Sequence, residues 1–181
     1  MYYRNTNIYL RLFFIVLLCT AIVGCSNKAQ ESSRIYHAEA YFSPAGGISQ
    51  RIIKAIYNSN LTIDIAIFDF TSQDIKVSLE KAKIRGVSIR IIADSRQAKG
   101  AHSVIPVLIN KGFNIKITHG KSRGIMHNKF AIFDNALVFT GSYNWTANAE
   151  LFNYENAVFI FDANTIKGYR DEFDKIWKTA K

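Results

Sequence analysis

Along the middle of the chain the apolar pattern switches repeatedly between two periods, and no other feature limits the fold as strongly. Residues 61–68 begin with apolar and polar side chains alternating, the two-residue period of a strand. Ile75, Leu79 and Ala82 then recur at i, i+4 and i+7, a helix face that Gly86 should end. Residues 87–93 read as a strand again, 104–110 as a helix stopping before Gly112, and 113–118 as a further strand. Upstream, residues 37–42 form a short strand, Ser43-Pro44-Ala45-Gly46-Gly47 a turn, and Ile48, Ile52, Ile53 and Ile56 a helix stripe. Downstream, residues 125–133 and 137–140 pair around the tight-turn dipeptide Asp134-Asn135. Residues 155–161 add a strand, and Ile166, Tyr169, Phe173, Ile176 and Trp177 line a closing helix. Strands alternating with helices predict the α/β class: an α/β/α sandwich with a mixed, mostly parallel sheet flanked by helices. No internal repeat is present.

The first 24 residues read as a leader. Residues 1–11 hold Arg4 and Arg11 and no acid, and residues 12–23 are mostly apolar (LFFIVLLCTAIV). That run has the length of a signal-peptide core and is short for a membrane span. It ends at Ile22-Val23-Gly24-Cys25, which resembles a bacterial lipobox. Cys25 would then be the lipidated first residue of the mature chain; the alternative is an uncleaved signal anchor with Cys25 a bystander. Cys19 would leave with the leader. Ser26 is not the aspartate that retains many lipoproteins at an inner membrane, so outer-membrane attachment is expected in a diderm host. Residues 25–36 are mainly polar and read as a flexible tether, leaving 37–181 as one folded domain. The whole chain of 181 residues carries a formal charge of +9; loss of Arg4 and Arg11 with the leader leaves +7. With two cysteines, a disulfide-stapled miniprotein and a Cys-based zinc finger are excluded.

One stretch carries chemistry: His127-Asn-Lys129-Phe-Ala-Ile-Phe-Asp134, six residues, then Gly141-Ser142-Tyr-Asn144-Trp-Thr146. Positions two apart in a strand share a face, which would set the His127 imidazole beside the Lys129 ammonium. Gly141 would let a substrate approach the backbone, and Ser142 and Asn144 add neutral donors. Together these groups suit a phosphodiester oxyanion, with His127 as nucleophile or proton carrier. Spacing alone equally allows a solvated hairpin. Just upstream, His119-Gly-Lys121-Ser-Arg123-Gly124 is a basic, glycine-containing loop; Lys121 and Arg123 are candidates to contact phosphate, or are simply solvated. His37 and His102 read as surface or capping residues. Tyr143 and Trp145 suit either a substrate or the core.

The segment resembles the phospholipase D superfamily motif H-x-K-x4-D-x6-G-S-x-N, matched by His127, Lys129, Asp134, Gly141, Ser142 and Asn144. With Asn153-Tyr-Glu155-Asn156 behind it, the stretch is most similar to the small single-motif nucleases, the bacterial plasmid endonucleases and the mitochondrial Zucchini-type enzyme, without the Zucchini-type zinc finger. Ala45 departs from their Pro-Gly-Gly turn. The resemblance implies a homodimer, because family sites use two motifs and this chain has one. It implies a metal-independent phosphodiesterase with no cofactor, in which one His127 forms a phosphohistidine and the other serves the leaving group. The Lys129 side chains would neutralise phosphoryl oxygens, and Glu155 would hold a His127 tautomer. Asp134 is carried over as catalytic with a possible structural part, while Gly141, Ser142 and Asn144 would bind phosphate.

Three functions follow. An endonuclease acting on nucleic acid fits the basic charge and the loop at 119–124. A phospholipase D acting on phospholipid head groups fits a lipid anchor that places the site at a membrane. A non-catalytic basic binding module would require an inert motif, against its completeness.

Overall fold

The computed structural model describes residues 38–181, so the leader, Cys25 and the tether lie outside the described residues. In chain order the elements are β1 (Ala38–Ser43), α1 (Ile48–Asn58), β2 (Thr62–Ile67), α2 (Gln73–Ile84), β3 (Ser88–Asp94), α3 (Ile105–Asn110), β4 (Asn114–Thr118), β5 (Lys129–Phe133), β6 (Leu137–Gly141), α4 (Ala147–Leu151), β7 (Glu155–Ile160) and α5 (Ala163–Thr179). A 3₁₀ turn, Gln97–Lys99, follows β3.

The strands form one seven-stranded sheet in the order β1-β7-β6-β5-β2-β3-β4. Its pleat sorts side chains to two cores. Ile63, Ile65 and Ile67 of β2, with Ala131 and Phe133 of β5, pack with Ile52 and Ile56 of α1 and Ile75 and Leu79 of α2. Ala66, Phe130 and Ile132 turn the other way and pack with Ile166 and Phe173 of α5. Helices therefore cover both faces, as the alternating pattern predicts. Tyr143 and Trp145 are core residues, 1% and 0% exposed, with Trp145 edge-on to Phe70.

The sheet is mixed, but it is not mostly parallel. Only β2–β3 and β3–β4 are parallel, joined by crossovers through α2 and α3. β5–β6 is antiparallel because Asp134 and Asn135, both at φ 51°, turn the chain within the three-residue connection between the paired Phe133 and Leu137. β6–β7, β1–β7 and β2–β5 are antiparallel as well. The connection through the five-residue α4 stays at one end of the sheet, so β7 runs back along β6.

β5 starts later than its apolar pattern predicts. The ladder with β2 opens at Ile67↔Lys129, and residues 125–128 are irregular. The cause is a buried tether: the Met126 N–H donates to the Asp94 carboxylate at 3.1 Å, drawing this segment toward the end of β3.

Candidate active site

His127 thus lies just before the strand instead of in it, and strand alternation is not what joins it to Lys129. Phe68, the residue after β2, does that. Its ring stands edge-on to the His127 ring, centroids 4.6 Å apart, and the Lys129 Nζ lies 4.9 Å from the same ring's centre. The Lys129 ammonium also donates to the His127 carbonyl oxygen at 3.0 Å. Behind them, Asp94 is fully buried and accepts from the N–H groups of Arg96, Gln97 and Met126. The Met126 side chain is itself in the α5-side core. His127 is therefore held between a buried methionine and the first residue of β5. Its ring nitrogens make no hydrogen bond among the described residues, which leaves them available to substrate or to a second chain.

His127, Lys129 and Gly141 line a cleft of about 540 Å³, closed on one side by Gly168, Tyr169 and Glu172 of α5. Gly141 is required by a neighbour as well as by the cleft: a Cβ there would sit 2.2 Å from the Asn156 carbonyl oxygen on β7. That close approach brings Ser142 to Glu155. The Ser142 hydroxyl donates to Glu155 and accepts from the Asn156 N–H at 3.1 Å, and Asn153 Nδ2 donates to the other Glu155 oxygen at 3.0 Å. Within one chain, Glu155 is thus engaged by Ser142 and Asn153 and not by His127.

Lys129 is 8% exposed. Burial lowers its pKa from the ordinary lysine value, opposed by the nearby charges of Glu155 and Asp69. Asp69 moves the opposite way: burial raises its pKa, against a hydrogen bond from the Phe70 N–H and the charge of Lys129. The cation at this site is therefore poorly solvated and aimed into a cleft, where it acts strongly on any anion that enters. The Asn144 Oδ1 is buried with no hydrogen-bond partner among the described residues.

Two groups of expected site residues lie elsewhere. Asp134 is at the opposite end of β5 from Lys129, roughly 16 Å along the strand at about 3.3 Å per residue. Its carboxylate accepts from the N–H groups of Asn60, Leu61 and Thr62, each at 2.8 Å. These bonds hold its pKa below the ordinary aspartate value, against the burial that would raise it. Lys121 and Arg123 are exposed on a turn ordered by the Gly124 N–H donating to the Lys121 carbonyl, and they do not line the cleft. Among the described residues no three His, Cys, Asp or Glu side chains converge as a metal site.

Sequence reasoning missed Phe68, Asp69 and Asp94. The signal for Asp94 was an aspartate closing a strand just before Ser95-Arg96-Gln97, the position from which a carboxylate caps the next turn. Nothing local marked Phe68, because its partners are some 60 residues away in the chain.

The family model described as "Cardiolipin synthase, PLD-like domain" matches residues 52–177. A mitochondrial cardiolipin hydrolase of Chlamydomonas reinhardtii is 31% identical over 156 residues, covering 86% of this chain and 68% of that protein. The crystal structure of Nuc from Salmonella typhimurium, a phospholipase D family member, superposes with a TM-score of 0.73 at 30% identity, covering 81% of this chain and 97% of that one. NucT from Helicobacter pylori gives 0.75 at 27% identity, with 80% and 98% covered. The family match runs from α1 into α5 and includes His127 and Lys129, and the chain belongs to the phospholipase D superfamily, as a hydrolase of phosphodiesters.

Proposed function

We propose that the protein is a metal-independent endonuclease that hydrolyses nucleic-acid phosphodiesters as a homodimer through a phosphohistidine. The observation that carries this reading is the pairing of His127 and the buried Lys129 against Phe68 at the mouth of one cleft, with a single such pair per chain. In the first step a ring nitrogen of one His127 attacks phosphorus. A P–N bond forms, the P–O bond to the leaving group breaks, and the partner subunit's His127 gives its proton to the departing oxygen. In the second step that histidine, now neutral, takes a proton from water. The water oxygen attacks phosphorus, the P–N bond breaks and both imidazoles return to their starting states. Lys129 offsets charge on the phosphoryl oxygens throughout. Ser142 and Asn144 border the phosphoryl group. Glu155, hydrogen-bonded by Ser142 and Asn153 on its own chain, orients the partner's imidazole in the dimer of this proposal. Asp134 is structural.

Nucleic acid is favoured by the charge of +7 that remains once Arg4 and Arg11 leave with the leader, and by the exposed Lys121–Arg123 turn directly ahead of His127. The second reading, phospholipid hydrolysis, is favoured by the naming of the curated relatives as cardiolipin hydrolases. In either case we take Cys25 as an acylated anchor that holds the domain at a membrane surface through the tether. Side-by-side assays on single-stranded DNA, duplex DNA, RNA and phospholipid vesicles, all in excess EDTA, test the function. Cleavage of nucleic acid is the expected result. Turnover of phospholipid alone, or activity only after added Mg²⁺ or Zn²⁺, overturns it.

A further inference from the structure

Gly168 lies inside the 17-residue α5, and nothing within the chain requires a glycine there. In a helix interior glycine is the least favourable residue after proline, because it gives up the most backbone entropy on folding. Two structural causes hold a glycine in place: a positive φ, or a neighbour pressed against the backbone. Gly168 has neither. It is not among the residues with positive φ, unlike Gly47, Gly86, Gly112 and Gly141. A Cβ built on it would meet no heavy atom within 4 Å beyond its own helix, whereas at Gly141 the Cβ would strike β7. The room beside Gly168 serves something outside the chain's own fold.

Its position identifies the occupant. Thr165, Gly168, Tyr169 and Glu172, at i−3, i, i+1 and i+4, are the face of α5 that lines the cleft of His127 and Lys129. Tyr169 fixes that face to the catalytic strands. Its hydroxyl bonds to Thr140, the residue before Gly141, at 3.1 Å. Its ring stands edge-on to Phe130, the residue after Lys129, with centroids 5.1 Å apart. A phosphodiester whose phosphoryl oxygens meet Lys129 therefore has an ester group beside this wall. Apart from His127 and Lys129 the lining is uncharged except for Glu172, which is bonded by Lys175 at 2.9 Å. Such a wall suits an uncharged organic group and offers no cation to a neighbouring phosphate.

We propose that Gly168 is a specificity-determining residue: its bare backbone admits the uncharged polyhydroxyl group esterified to the scissile phosphate, a sugar or a glyceryl group, and a side chain there excludes that group by bulk. This rests on the phosphodiesterase reading given above, and it adds the residue that sets the size of what the phosphate carries.

The test uses full-length protein and three esters with one leaving group, so that the chemistry is constant and the retained group varies: methyl p-nitrophenyl phosphate, glyceryl p-nitrophenyl phosphate and thymidine 5′-(p-nitrophenyl phosphate). Gly168→Ala should melt about 3 °C above wild type, because alanine is the better helix residue. Its kcat/KM for a bulky ester, relative to the methyl ester, should fall about tenfold, the discrimination one added methyl makes in a filled pocket. Gly168→Leu, still a good helix former, should lower that ratio further. A fall for the thymidine ester, the glyceryl ester or both supports the proposal, and the ester affected names the source of the group. Ratios within twofold of wild type in both variants overturn it and leave the catalytic reading intact. A lowered melting temperature in Gly168→Ala overturns it by showing that the fold itself needs the glycine. A fall in ratio accompanied by loss of the dimer in light scattering overturns it in favour of a second chain in that space. Wild-type protein inactive on every ester removes the phosphodiesterase reading itself, and this proposal with it.

Discussion

Asp134 is the residue on which motif and geometry part, and Asp134→Ala separates them. The motif counts this acid among its signature residues, yet its carboxylate accepts three backbone N–H groups at the turn before β2. Two of the three bonds are exposed, so about 1 kcal/mol each, the modest end for a charged acceptor, is a fair value, and their loss costs about 3 kcal/mol. Alanine must also hold φ 51°, a left-handed conformation that costs it about 1 kcal/mol more. At about 3 °C per kcal/mol for a domain of this size, the melting temperature should drop by about 12 °C. Turnover by the folded variant at 25 °C should stay within about twofold of wild type. The pH dependence has a fixed sign. The folded-state pKa of Asp134 is depressed, so its contribution is complete above the unfolded value of about 3.9 and lost as pH falls through the folded one. The gap in melting temperature between wild type and variant should therefore hold at neutral pH and narrow in acid toward the part set by the backbone at φ 51°. Circular dichroism melts across pH, beside kcat at 25 °C, measure both. An unchanged melting temperature, or a hundredfold loss of kcat in folded protein, would refute the structural assignment.

Other outcomes are specific to single residues. Burial depresses the Lys129 pKa, so the alkaline limb of kcat/KM should fall below the ordinary lysine value of about 10.4; Asp69→Asn removes a supporting charge and should move that limb lower still, whereas an unmoved or higher limb would disprove the coupling. Asp94→Ala removes the acceptor of the Met126 N–H along with that of the Arg96 and Gln97 N–H groups; kcat of the folded variant should fall at least tenfold with KM changed under threefold, and a variant with wild-type kcat would show that the tether does not position His127. Cys25→Ser should release the protein from the membrane fraction, and a mass spectrum showing unmodified Cys25 in the mature protein would exclude the anchor.

What was legible in the sequence depended on how local its cause is. The helix stripes at Ile75-Leu79-Ala82 and Ile166-Phe173 and the Asp134-Asn135 hairpin follow from spacing and turn chemistry, and all stand in the structure. Beyond that hairpin, strand direction was not legible: β6–β7, β1–β7 and β2–β5 also pair antiparallel, and nothing within those strands distinguishes the two pairings. The true start of β5 was hidden because a residue 32 positions away, Asp94, competes for the Met126 N–H. The motif paired His127 with Lys129, and in the structure Phe68, not the pleat, brings the two side chains together. Ser142 and Glu155 were visible as site residues but their direct hydrogen bond was not, because it depends on the approach of β7 to Gly141.

In-line displacement needs a nucleophile and an acid on opposite sides of phosphorus, and each chain offers one His127. Subunit mixing tests that requirement directly. Wild-type protein is exchanged with increasing His127→Ala protein at constant total concentration, exchange is verified with differently tagged chains, and hydrolysis is measured. If two histidines from two subunits are needed, mixed dimers are inactive and activity follows the square of the wild-type fraction, about a quarter at equal mixing. Activity linear in wild-type fraction, or full activity in a strictly monomeric enzyme, would show that one chain suffices and contradict the two-histidine site.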